Sequence, residues 1–125
     1  MFNLRHRVNR ILIKISYHLG FSKLLSMPKM LNLDPTNLCD LKCPLCPTGL
    51  RDKTVERGSI KLDQFKTVID RLGKYLQSVN LYSWGEPLLH KSLVDMIRHT
   101  AVNHKIRTIT SVHLGNLSEE QVEGL

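Results

Sequence analysis

The chain has 125 residues, 42% of them apolar and 23% charged, with a formal net charge of +7. This composition excludes an intrinsically disordered chain, and the length supports one modest hydrophobic core and no more. No apolar run approaches the roughly 20 residues that span a bilayer, and there are no internal repeats or low-complexity tracts.

Residues 1–29 carry Arg5, Arg7, Arg10, Lys14, Lys23 and Lys29 and no acid, so this segment holds +6 of the net +7. Val8, Ile11, Leu12, Ile15 and Leu19 fall on one helical face, with Arg7, Arg10, Lys14 and His18 opposite. Three readings are open for this basic helix. It can pack its apolar face against the body of the protein and keep a solvated basic face. It can lie on an anionic membrane surface. It can also be a targeting peptide, since such segments are Arg-rich and acid-poor. Nucleic-acid binding is not expected, because no aromatic residues interleave the charges and no second basic patch exists.

The stretch "MLNLDPT" (30–36) alternates and ends in a turn, which predicts a strand running into the next segment. That segment contains Cys39, Cys43 and Cys46, the only three cysteines. An odd number cannot close into disulfides without leaving one thiol free. On a helix the three would share a face, but Pro44 and Pro47 each follow a cysteine and favour extended backbone. A loop that turns its thiolates towards a metal is the natural reading. Structural zinc sites and iron–sulfur clusters usually take four protein ligands. Three thiolates on a four-iron cluster leave one iron open to a small molecule.

Residues 47–60 are turn-rich, with Gly49 and Gly58 as breakers. Leu62, Phe65, Val68, Ile69, Leu72 and Leu76 then recur at helical spacing. "SVNLYSW" (78–84) predicts a second strand, on which Tyr82 and Trp84 share a face, so at least one of them should pack inward. A second helix follows with Leu89, Leu93, Met96, Ile97 and Ala101 on one side. "KIRTITSV" (105–112) predicts a third strand, and Ser118-Glu119-Glu120-Gln121 has the form of a capping box opening a third helix. Strand and helix in alternation predict an α/β fold with parallel strands.

Two motifs carry a resemblance. Cys39-x3-Cys43-x2-Cys46, with Leu45 before the last cysteine, resembles the cluster motif of the radical S-adenosylmethionine (radical SAM) enzymes. Trp84-Gly85-Glu86-Pro87, directly after the second strand, resembles that family's Gly-Gly-Glu-Pro motif, with tryptophan in place of the first glycine. The surrounding sequence is most like the SPASM-type branch, whose members modify peptides, protein side chains or cofactor precursors. The resemblance implies a [4Fe–4S] cluster on Cys39, Cys43 and Cys46. It implies that Gly85, Glu86 and Pro87 help seat SAM, and that reductive cleavage yields a 5′-deoxyadenosyl radical for hydrogen abstraction. The partners implied are SAM, an electron donor and a substrate that the sequence leaves open.

The same resemblance implies a partial (β/α) TIM-type barrel, the first three βα units of a radical SAM core over residues 30–125, after an extension at 1–29. The chain is therefore expected to be an N-terminal fragment of a longer enzyme. Past the third strand, Ser111 and His113 stand near the position of a polar SAM contact, without the family's usual asparagine. Oxygen-sensitive cluster chemistry implies the cytoplasm, with membrane association if the N-terminal helix binds lipid. The alternative is a non-catalytic iron- or zinc-binding module, with His90 or His113 completing a zinc loop.

Overall fold

The computed structural model describes residues 4–115 and 117–124. The N-terminal helix α1 (Leu4–His18) leads to strand β1 (Met30–Asn32), helix α2 (Leu62–Leu72) and strand β2 (Ser78–Asn80). A short 3-10 turn (Pro87–Leu89) and helix α3 (Leu93–Arg98) follow, then a π-helical turn (His99–Asn103), strand β3 (Arg107–Ile109) and helix α4 (Glu119–Gly124). The strands form one parallel sheet in the order β1-β2-β3, as the alternation of elements predicts. Val79 pairs with Leu31 on one side and with Thr108 on the other.

The core gathers at the middle strand. Phe65 and Ile69 of α2 and Leu93 and Met96 of α3 are buried with Val79, Leu81, Leu76, Leu88 and Ile106. Period-3.6 spacing identifies the α2 residues correctly because that helix is amphipathic along its whole length. The capping box at 118–121 also forms: the Ser118 N–H donates to Gln121 Oε1 at 3.0 Å, and the Gln121 N–H donates to Ser118 Oγ at 3.3 Å.

Three expectations need correction. First, the strands are three residues each, shorter than the extended runs read from the sequence. The ladder gains one more bond after each of the first two strands, from Leu33 N–H to Asn80 O and from Leu81 N–H to Ile109 O. Pro35 then has no donor to continue it, and the Trp84 N–H turns to the Asp34 carboxylate at 3.4 Å. Strand alternation therefore does not reach Tyr82 and Trp84, and both are exposed. Secondly, the helix expected through 89–101 is broken. Glu86 caps a separate 3-10 turn, and the His90 ring accepts from the Ser92 N–H at 3.1 Å, so α3 starts afresh at Leu93. Leu89 and Ala101 consequently face out.

Thirdly, of the readings open for α1, packing of its apolar stripe against the body is not what the structure shows. Leu4, Val8, Ile11 and Ile15 are exposed, while the polar Asn9 and Ser16 are buried. Asn9 explains the orientation. Its amide donates to Met27 O at 2.9 Å and accepts from Met27 N–H at 2.8 Å, which fixes the helix to the returning chain.

Candidate functional site

The site is built on the loops that follow the three parallel strands, the end where α/β proteins place their chemistry. The loop after β1 runs from Pro35 to Ile60 and carries the cysteines. Its two ends are tied together at Thr36, which is buried. Thr36 Oγ donates to Gly58 O at 3.0 Å, and accepts from the Leu38 N–H at 3.1 Å and the Ser59 hydroxyl at 2.8 Å. Asn37 repeats the clamp one residue on, accepting from the Gly58 N–H and donating to Glu56 O, both at 2.7 Å.

Within the loop, the Cys46 N–H donates to Cys43 O at 3.2 Å, and the Leu50 N–H donates to Cys46 O at 2.8 Å. The chain turns back so tightly that a Cβ on Gly49 would lie 2.6 Å from the backbone nitrogen of Cys43. Cys43 is exposed, and Cys39 and Cys46 are half-buried; none is in a disulfide. Leu45, between two ligand candidates, is 94% exposed. The Cys46 thiol is held below its ordinary pKa, first by the Gly49 N–H and then by the N–H and hydroxyl of Thr48. Those donors favour the thiolate, which is the form that binds metal.

The loop after β2 meets the cysteine loop through backbone atoms. The Glu86 N–H donates to Leu38 O at 2.8 Å, one residue before Cys39. A Cβ on Gly85 would sit 2.0 Å from Thr36 O and 2.9 Å from Leu38 O, so only glycine permits this approach. Pro87 opens the 3-10 turn, where its missing N–H costs nothing, and it is buried. Glu86 is 3% exposed. Its two oxygens accept from the Leu88 N–H and the His113 N–H, both at 3.1 Å. Glu86 thus acts as a helix-entry cap in this geometry, while its backbone forms the seam between the two motifs.

The loop after β3 completes the set through His113. Its Nε2 lies 2.8 Å from Asp40 Oδ1 and 3.3 Å from Glu86 Oε2. The Asp40 hydrogen bond, with the Glu86 charge nearby, raises the His113 pKa despite partial desolvation. One imidazole therefore joins the loops that follow all three strands. Asp40 carries no role in the sequence reading and His113 only an unassigned one. Their partnership spans 73 positions, and no local spacing announces it. Both ring nitrogens of His90 are engaged: Nε2 lies 2.8 Å from Ile60 O, and Nδ1 accepts from the Ser92 N–H. Trp84, with Asn37, Pro47, Thr48 and Val55, lines a hollow at the edge of the cysteine loop.

No family model matches the chain. Over 102 residues, 79% of the chain, it is 35% identical to the PqqA peptide cyclase of Rhodopseudomonas palustris. The match spans about a quarter (26%) of that protein's length. The fold resembles that of BtrN in complex with AdoMet and 2-DOIA (TM-score 0.67, 22% identity, 79% of this chain and 41% of that one). It also resembles Streptococcus suis SuiB bound to S-adenosylmethionine (TM-score 0.69, 20% identity, 93% of this chain and 26% of that one). These likenesses support membership of the chain in the radical SAM superfamily.

Proposed function

We propose that residues 30–125 are the first three βα units of a radical SAM core, a partial (β/α) barrel, and that residues 1–29 are a separate basic extension. Cys39, Cys43 and Cys46 would hold a [4Fe–4S] cluster, and Gly85, Glu86 and Pro87 would help seat SAM. With one electron from an external reductant, these cofactors would supply a 5′-deoxyadenosyl radical for hydrogen abstraction from a substrate. The observation that carries this reading is the backbone seam. The Glu86 N–H on Leu38 O sets the glycine-containing motif directly beside the first cysteine.

The donor set fits the cluster. Three accessible cysteines, with no fourth in the chain, suit four irons with one left open. The thiol sulfurs are not gathered within 4.8 Å of one another. Ligands of a single zinc, with Zn–S of about 2.3 Å, would stand roughly 3.8 Å apart. The bonds of His90 and His113 also speak against a zinc loop closed by either one. The protein's own contribution is positional. Thr36 and Asn37 close the cysteine loop, Gly85 lets the second loop approach, and His113 fastens the third.

A peptide is the substrate class best supported. The matched relative is named as a peptide cyclase, and SuiB is also known in a complex with its precursor peptide SuiA. The cytoplasm suits the chemistry, since thiolates and an open iron need a reducing space. The test is anaerobic iron–sulfur reconstitution of the full chain, read by EPR of the reduced cluster with and without SAM. A four-iron signal that changes on adding SAM is expected. Retention of zinc with no cluster would overturn the assignment.

Membrane-surface contact is proposed for α1. No helix among the described residues is long and apolar enough to cross a membrane. The outward stripe of Leu4, Val8, Ile11 and Ile15 shares its helix with Arg7, Arg10 and Lys14, the pairing that suits anionic lipid. Co-sedimentation with anionic vesicles, lost on Ile11→Glu and weakened by salt, is the expected result. Equal recovery with neutral and anionic vesicles would refute it.

A further inference from the structure

A second constellation of ligand-type side chains lies on the helices flanking the sheet, apart from the cysteine loop. Asp70 of α2 takes His99 Nε2 and His104 Nε2 on the same oxygen, Oδ1, each at 2.8 Å. The three ligand atoms all lie within 4.8 Å of one another, and among the described residues no other group of three or more His, Cys, Asp or Glu does so. Both imidazoles are largely shielded, whereas Asp70 is 54% exposed, so one side of the group opens to water.

The backbone is shaped to bring the two histidines together. Residues five apart on an α-helix point about 140° away from each other. Residues 99–103 instead form a π-helical turn, whose i→i+5 bonding brings positions five apart close to one face. The next residue after His104, Lys105, takes a left-handed backbone (φ 55°) that non-glycine residues rarely adopt. This ends the turn sharply and sends the chain into β3. The rings stand edge to face with centroids 5.0 Å apart. His99 has a supporting partner as well: Asn103 Nδ2 lies 3.2 Å from its Nδ1. With the amide rotated by a half turn, Asn103 Oδ1 accepts an Nδ1–H and leaves Nε2 free to bind a metal. Metal-bound histidines are commonly oriented this way.

We propose that Asp70, His99 and His104 bind a divalent ion of the zinc class, with water in the remaining position. Two imidazoles and one carboxylate are the ligand types zinc prefers outside thiolate sites. Tetrahedral ligation at about 2.0–2.1 Å sets ligand atoms roughly 3.3 Å apart. The carboxylate, now 2.8 Å from each nitrogen, has only to draw back by a few tenths of an ångström. The ion would tie α2 to the turn that delivers β3. This site rests on none of the assignments made for the cysteine loop.

The test is cobalt(II) and zinc(II) binding to the full chain under anaerobic, reducing conditions. Cobalt on cysteine thiolates gives intense charge-transfer absorption, whereas cobalt on nitrogen and oxygen gives only weak visible bands. Wild type should bind one equivalent more than His104→Gln, with the weak bands lost and the thiolate absorption kept. Saturating zinc should raise the wild-type melting temperature by about 5 °C and that of His104→Gln by less. Asn103→Ala, which removes no ligand, should weaken binding at this site by about tenfold. Equal stoichiometry in wild type and His104→Gln would overturn the site. So would an Asp70→Asn chain that stays folded and binds as many equivalents as wild type, which is the deciding result if His104→Gln fails to fold.

Discussion

Replacing any one of Cys39, Cys43 or Cys46 by alanine is expected to abolish cluster assembly, taking bound iron from about four per chain to well below one. Three thiolates leave one iron free of protein, so no spare ligand exists to make up for a loss. No other cysteine occurs in the chain to substitute. Leu45→Ala is the matched control. Leu45 shares the loop but is 94% exposed, so its removal should leave iron content unchanged. Iron and acid-labile sulfide analysis after anaerobic reconstitution reads both outcomes. Loss of a single cysteine with full retention of iron would rule out the three-thiolate assignment.

Gly85→Ala should leave the cluster in place but remove its response to SAM. The new methyl would meet Thr36 O at 2.0 Å and Leu38 O at 2.9 Å, and both are backbone atoms that cannot swing aside. The two loops must separate, which breaks the Glu86 N–H bond to Leu38. Overpacking of this kind costs about 1–3 kcal/mol, and contact with backbone places the cost at the upper end. Chemical denaturation measures the stability loss, and EPR of the reduced cluster with and without SAM measures the functional one. An alanine variant with wild-type stability and an intact SAM response would show that the seam plays no part.

What the sequence disclosed follows the range of its signals. Phe65, Ile69, Leu93 and Met96 are legible because each sits on a face repeated every three to four residues. The cysteine and Gly-Glu-Pro motifs are legible because their members are close in sequence, and the parallel order of strands follows from their alternation with helices. The strand ends are not legible. Asp34 captures the Trp84 N–H across 50 positions and draws the chain out of the sheet before its β-like residues run out. The facing of α1 is not legible, because hydrophobic periodicity marks the apolar side without saying whether the protein covers it. Here two hydrogen bonds between Asn9 and Met27 decide the matter. His113 and Asp40 have neither periodicity nor a short motif, and only the folded chain brings them together.

The clamp at Thr36 bears on what a cluster in the loop it closes would still have to order. Thr36 and Gly58 stand 22 positions apart, and closing a flexible loop of that length costs about 3 kcal/mol of chain entropy. Side-chain and backbone hydrogen bonds at Thr36, Asn37, Gly58 and Ser59 hold that closure. A cluster on the three cysteines, as proposed above, would have only the short arc from Cys39 to Cys46 left to order. Its loss would then be expected to empty that arc and spare the frame, so that reloading is a local event at the rim of the domain.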